Sequence, residues 1–158
     1  MRIGFASDIH RLVEGRKLML AGIHVPANFG EQAHSDGDVV FHACAEAILG
    51  ALALGDLGTH FPDSDNQYKD IDSSILVKRV VAMMKDNGCQ INNVDISITL
   101  EKPKLKDYIF SMRENLAGLL ETDIKNVSIK AGTNEGLDAL GKGEAVKAEA
   151  IVLLKEVE

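Results

Sequence analysis

The chain has 158 residues, 46% of them apolar and 26% charged, which suits one folded domain over 1–158 and excludes a disordered chain. Set against 17 lysines and arginines, 24 acids give a net charge of −7, which argues against a nucleic-acid binder with a basic face. Aromatic residues are only 4%, too few for a base-stacking platform, and no apolar run approaches a membrane span, so neither nucleic acid nor membrane is an expected partner.

Residues 2–9 alternate, with Ile3, Phe5 and Ile9 on one face, and read as a strand with no signal-peptide core. A second strand region over 16–25 ends at Pro26, and a polar loop follows over 27–37. The spacing predicts a helix from Asp38 to about Leu54, capped by Asp36 or Asp38. Residues 55–72 carry turn formers and acids and read as a long loop, a type that more often serves function than structure. A second helix covers Ser73–Asn87 and stops at Gly88. In 94–101, Val94, Ile96, Ile98 and Leu100 face one way and polar residues the other, toward water or another subunit. A helix over 107–121, a strand over 127–131 and a last strand over 145–155 complete the order β-β-α-α-β-α-β-β. The fold class is α+β, an α/β sandwich of one mixed sheet with helices on one face. Cys44 and Cys89 lie far apart in sequence and read as reduced thiols of a cytoplasmic protein.

Asp8 and His10 stand two apart on a strand, so they point to one side. Each is a common zinc ligand, although a polar strand end would look the same. The segment from Ala33 to His42 adds two histidines and two aspartates around a helix start, with His42 one turn beyond Asp38. Asp8, His10 and His42 would offer one oxygen and two nitrogens with the fourth zinc position open, the pattern of a catalytic rather than a structural site. His34, Asp36 and Asp38 equally suit capping and loop hydrogen bonds. The acids Asp56, Asp63 and Asp65 are solvated or accept hydrogen bonds from a polyhydroxylated ligand. An EF-hand reading fails, because Tyr68 and Ser74 occupy the required Gly and Glu positions. Gly136 to Lys142 matches the opening of a P-loop, but Gly143 stands where Ser or Thr must hold Mg²⁺. What remains is a Gly-rich turn with a hydroxyl, Thr133, and a carboxylate, Glu135, suited to a phosphate and a hard cation.

Asp8-Ile9-His10, AHSDGD from Ala33 with His42, LGDLG from Leu54, FPDSD from Phe61, Lys102-Pro103-Lys104 and Thr133-x-Glu135 occur in that order. Over essentially its whole length the chain resembles the 2-C-methyl-D-erythritol 2,4-cyclodiphosphate synthases of non-mevalonate isoprenoid synthesis. The resemblance implies a homotrimer with active sites at subunit boundaries, acting on a cytidine diphosphate substrate and releasing CMP. It implies zinc on Asp8, His10 and His42, and magnesium or manganese on Glu135. His34 and Thr133 correspond to residues that position phosphates and stabilise the transition state. Ser35, Asp56, Gly58, Phe61, Pro62, Asp63 and Asp65 correspond to methylerythritol phosphate contacts. Pro103, Lys104, Ala131, Gly132 and Lys142 correspond to the cytidylyl side and the central cavity. The chain departs from the common pattern at Ala6, Ser7, Gly132, Ala139 and Lys142, where relatives more often carry Gly, an aromatic, Thr, Phe and Arg. Two rivals stand beside this reading: a metal-dependent phosphohydrolase using the same His and Asp cluster with water as nucleophile, and a non-catalytic nucleotide-binding or regulatory trimer.

Overall fold

The computed structural model describes residues 1–62 and 64–157. In chain order the elements are β1 (Arg2–Glu14), β2 (Leu18–Leu20), β3 (Ile23–Val25), β4 (Phe29–Glu31), α1 (Val39–Ala51), α2 (Leu57–His60), α3 (Ser73–Asp86), β5 (Cys89–Thr99), α4 (Ile109–Leu119), β6 (Val127–Gly132), α5 (Asp138–Gly141) and β7 (Ala145–Glu156). Single 3-10 turns stand at Asn66–Tyr68 and Ile124–Asn126.

Five strands form one mixed sheet in the order β4-β1-β7-β5-β6. β5 and β6 run parallel, as the connection through α4 demands, and the other neighbours are antiparallel. The main helices α1, α3 and α4 pack on one face, so the expected α+β layering is present. That face carries Ala6 of β1, Val146, Ala148, Ala150, Val152 and Leu154 of β7, and Val94, Ile96 and Ile98 of β5, all buried. Among the described residues, none of the main helices covers the opposite face. It presents Ile3, Phe5, Ile9 and Ile151, between 46% and 71% exposed, so the apolar set of the β1 alternation points away from the core. The inward positions of β1 are instead small. At Gly4 an added Cβ would lie 1.9 Å from the Ala47 carbonyl oxygen, which is how closely α1 approaches.

The expected strand over 16–25 is two strands. Ala21 (φ 50°) and Gly22 (φ 75°) turn the chain in the left-handed region, as a two-residue hairpin requires. Alanine is a weak turn signal, and the turn is held from elsewhere. The Asp38 carboxylate accepts from Ala21 N at 2.9 Å and Gly22 N at 2.6 Å while also capping α1 through Val40 and Phe41. The loop over 27–37 likewise contains β4, paired to Leu12–Glu14 of β1. β5 begins at Cys89 rather than 94, because the register shifts between Ile91 and Asn93 and hides the earlier alternation. The 55–72 segment contains α2 and a 3-10 turn, and α4 is shorter than the expected 107–121. No helix is long and apolar enough to cross a membrane among the described residues.

Candidate metal centre and adjoining clefts

β1 carries Asp8 and His10, and α1, packed across β1, carries His42 one turn past its Asp38 cap. Asp8 Oδ2 lies 3.3 Å from His10 Nε2 and 3.2 Å from His42 Nδ1. The two rings meet edge to face at 5.2 Å. Among the described residues this is the one group of three or more potential ligands, with one ligand atom from each within 4.8 Å of the others. Bonds of about 2.0 Å in a tetrahedron give ligand–ligand edges of about 3.3 Å, so the two distances from Asp8 fit a zinc-sized ion.

Hydrogen bonding explains why the cluster wants a cation. His10 Nδ1 is 2.7 Å from the Gly37 carbonyl, which only accepts, so that nitrogen carries the proton. Without a proton on Nε2, that nitrogen would turn a lone pair toward the Asp8 carboxylate, an arrangement relieved by a proton or a metal ion between them. Burial works against ionisation of Asp8, but the hydrogen bond from His42 and the fields of both rings outweigh it and hold its pKa below the ordinary carboxylate value. Burial likewise disfavours a charged His42, yet the hydrogen bond and charge of Asp8, with Asp38 and Asp36 behind it, raise that ring's pKa.

The cluster forms one wall of a cleft of about 280 Å³ that also includes His34, Ser35 and Phe61. His34 Nε2 is buried there with no hydrogen-bond partner among the described residues. Ser35 Oγ accepts from Gly37 N at 3.1 Å and lies 3.2 Å from His42 Nε2. Leu57, Phe61, Tyr68, Ile71 and Leu76 make the apolar side. Tyr68 stands edge-on to Phe61 at 5.6 Å, and Arg79 of α3 lies over the Tyr68 ring at 5.6 Å while donating to its hydroxyl at 3.2 Å.

Pro103, Lys104, Ala131, Gly132 and Thr133 line a second cleft, with Leu100, Leu105 and Ile109 at its apolar floor. Ile9 and Thr99 both pair with Lys147, and Thr99 pairs with Gly132. Both clefts therefore lie toward the same end of the sheet, on strands β1 and β6 that are three strand spacings, about 14 Å, apart. Asp56, Gly58, Pro62, Asp65, Glu135 and Lys142 line neither cleft. Asp56 caps α2, its Oδ1 accepting from Thr59 N at 2.9 Å and Thr59 Oγ1 at 2.7 Å. Asp65 accepts from Gln67 N at the 3-10 turn, and Asp63 lies outside the described residues. Glu135 is exposed in the left-handed region (φ 54°). The turn from Gly136 to Gly143 contains α5, only four residues long, and is no P-loop.

Sequence reasoning passed over Gln32, Glu46 and Tyr68 in the metal cleft, and Ser73, whose Oγ is 2.9 Å from His42 Nε2. A serine after an aspartate at a helix start looks like ordinary capping. The only available signal was position: Ser73 closes the long loop that a site-bearing chain would fold over its ligand.

The YgbB family model matches residues 1–155. The 2-C-methyl-D-erythritol 2,4-cyclodiphosphate synthase of Brachyspira hyodysenteriae is 53% identical over 156 residues, covering 99% of each chain. Among solved structures, the bifunctional IspDF from Campylobacter jejuni superposes with a TM-score of 0.95 at 37% identity; the match covers 99% of this chain and 42% of that longer one. A 2C-methyl-D-erythritol-2,4-cyclodiphosphate synthase in a CDP-bound form gives 0.90 at 35% identity, covering 98% of this chain and 100% of that one. Motif order, full-length similarity and fold agree: the chain belongs to the YgbB family, in which its relatives are 2-C-methyl-D-erythritol 2,4-cyclodiphosphate synthases.

Proposed function

We propose that this chain converts 4-diphosphocytidyl-2-C-methyl-D-erythritol 2-phosphate into 2-C-methyl-D-erythritol 2,4-cyclodiphosphate and CMP, as one synthase domain over 1–158. An oxygen of the 2-phosphate bonds to the β-phosphorus of the same molecule. The bond from that phosphorus to the bridging oxygen breaks, and CMP leaves with the electron pair. Such phosphoryl transfer needs positioning and charge neutralisation more than covalent help from the protein.

Asp8, His10 and His42 are the residues to hold Zn²⁺, and the convergence of their three ligand atoms is the observation that carries this reading. Glu135, alone and exposed, suits Mg²⁺ or Mn²⁺, which take one carboxylate and complete their shell with phosphate oxygens. Bound there, the two ions supply positive charge where the phosphates develop negative charge. They also let a chain of net charge −7 take a polyanion. His34 holds a buried nitrogen free for a phosphate oxygen. Ser35 already accepts from Gly37 N, so its own O–H is available to donate into the cleft. Thr133 serves the phosphates from the second cleft. The methylerythritol carbons rest against Leu57, Phe61 and Tyr68, and Asp56, Gly58, Pro62, Asp63 and Asp65 are assigned as further contacts of that group. The cytidylyl group takes the cleft of Pro103, Lys104, Ala131 and Gly132, a reading supported by a relative that binds CDP, and Lys142 serves the same side or the central cavity.

Three copies assemble through the sheet face opposite the main helices, so that the metal cleft of one copy closes against the second cleft of its neighbour. Support comes from the uncovered apolar side chains of Ile3, Phe5, Ile9 and Ile151. Phosphorus NMR of the products decides the function. A cyclic diphosphate with CMP, dependent on Zn²⁺ and Mg²⁺ and abolished in His42→Ala, is expected. Linear phosphates would instead show a hydrolase, and unconsumed substrate a binding protein.

A further inference from the structure

We infer that Ser73 and Asp36 form a positioning relay that decides which nitrogen of His42 faces the metal. The inference rests on the metal reading of Asp8, His10 and His42 given above. Ser73 is the first residue of α3 and is fully buried. Its Oγ donates to Asp36 Oδ1 at 2.5 Å, and its backbone N–H donates to Asp36 Oδ2 at 3.1 Å. A carboxylate only accepts, so the single hydroxyl proton of Ser73 is committed to Asp36. What Ser73 Oγ has left is a lone pair, and it faces His42 Nε2 at 2.9 Å. The nitrogen meeting that lone pair is the one that carries hydrogen. Nδ1, which donates to Asp8 Oδ2 while the ring is protonated, is then the nitrogen that gives up its proton to a metal ion.

The relay is itself anchored. Asp36 Oδ1 also accepts from Asp38 N at 3.1 Å, at the start of the helix that bears His42. The two histidines thus bind one ion through different nitrogens, His10 through Nε2 because a carbonyl holds its Nδ1–H, and His42 through Nδ1 because a hydroxyl holds its Nε2–H. Partners of this kind orient a ligand ring and raise its basicity, and losing one costs about 10–100-fold in metal affinity.

Zn²⁺ affinity, measured on the full chain by competition with a chromophoric chelator, should fall about 10–100-fold in Ser73→Ala. Nitrogen NMR of the zinc-loaded, unaltered protein should show His42 metallated at Nδ1 and protonated at Nε2, a readout that does not depend on the variant folding. The Nε2–H signal should shift in a folded Ser73→Ala, a change that a purely structural role would not produce. Metallation at Nε2, or unchanged affinity in a folded Ser73→Ala, would overturn the relay while leaving the metal site standing. Failure of the unaltered chain to bind Zn²⁺ would overturn the metal reading and the relay together.

Discussion

Glu31 has nowhere to place a charge. It is fully buried; Oε2 accepts from Met19 N at 3.2 Å, and Oε1 has no partner among the described residues. Burial, reinforced by the charge of Asp38, pushes its pKa from 4.5 up to about 9. The folded protein therefore holds a proton that the unfolded chain releases above about 4.5, and stability falls as pH rises from there toward 9. Asp38, pushed by burial to about 7 although backbone N–H groups of Gly22, Phe41 and Ala21 oppose the shift, acts with the same sign over a lower window. Glu31→Gln keeps the bond to Met19 and should remove the decline between pH 7 and 9. Urea midpoints across that range check it, and an unchanged slope would locate the titrating group elsewhere. At this scale the sequence was readable where chemistry is intrinsic to residue type. Asp8, His10 and His42 looked like ligands before any contact was known. Glu31 and Ser73 did not, because their meaning lies in burial and in partners that only the fold supplies.

α1 is the element on which the site depends, since it brings His42 to a strand whose own residues supply the other two ligands. Its seat is cut by small side chains: Gly4 on β1 lies under the backbone of Ala47 and Ala51. In Gly4→Ala the new methyl would meet the Ala47 oxygen at 1.9 Å and the Ala51 nitrogen at 2.8 Å, both backbone atoms that cannot rotate away. Overpacking of this kind usually costs about 1–3 kcal/mol, and here the upper end is expected. The displaced helix should also loosen zinc binding, so denaturation midpoint and zinc affinity should fall together; a variant that loses neither would show that α1 does not set the site. The elements themselves were legible where periodicity is clean, as in α3 and its Gly88 stop. They were illegible where a distant group does the holding. The β2–β3 hairpin reads as one apolar run because its turn is fixed by Asp38, 16 residues beyond Gly22.

For the whole molecule, the sheet's two faces tell different stories. One is sealed by helices; the other leaves Phe5 beside its cross-strand partner Ile151, with Ile3 and Ile9 nearby on β1. The polar residues of β5 on that face, Asp95 with its ion pair to Lys130 at 2.6 Å among them, left water and subunit equally open from pattern alone. Under the proposed assembly, Phe5→Asp with Ile151→Asp should give monomers in sedimentation while the far-ultraviolet dichroism stays native. Activity should vanish with the trimer, since each metal cleft would lose the neighbour's half. Retained trimers would place the interface on another surface.

The pairing of the first long strand with the last has a consequence for biosynthesis. Arg2–Arg11 of β1 pair with Ala145–Leu154 of β7, in the middle of the sheet. In synthesis Asp8 and His10 are made long before β7, the strand that comes to lie beside theirs. Contacts so distant along the chain form slowly. Under the proposed metal reading, a settled site is thereby deferred until β7 has been made and has docked beside β1.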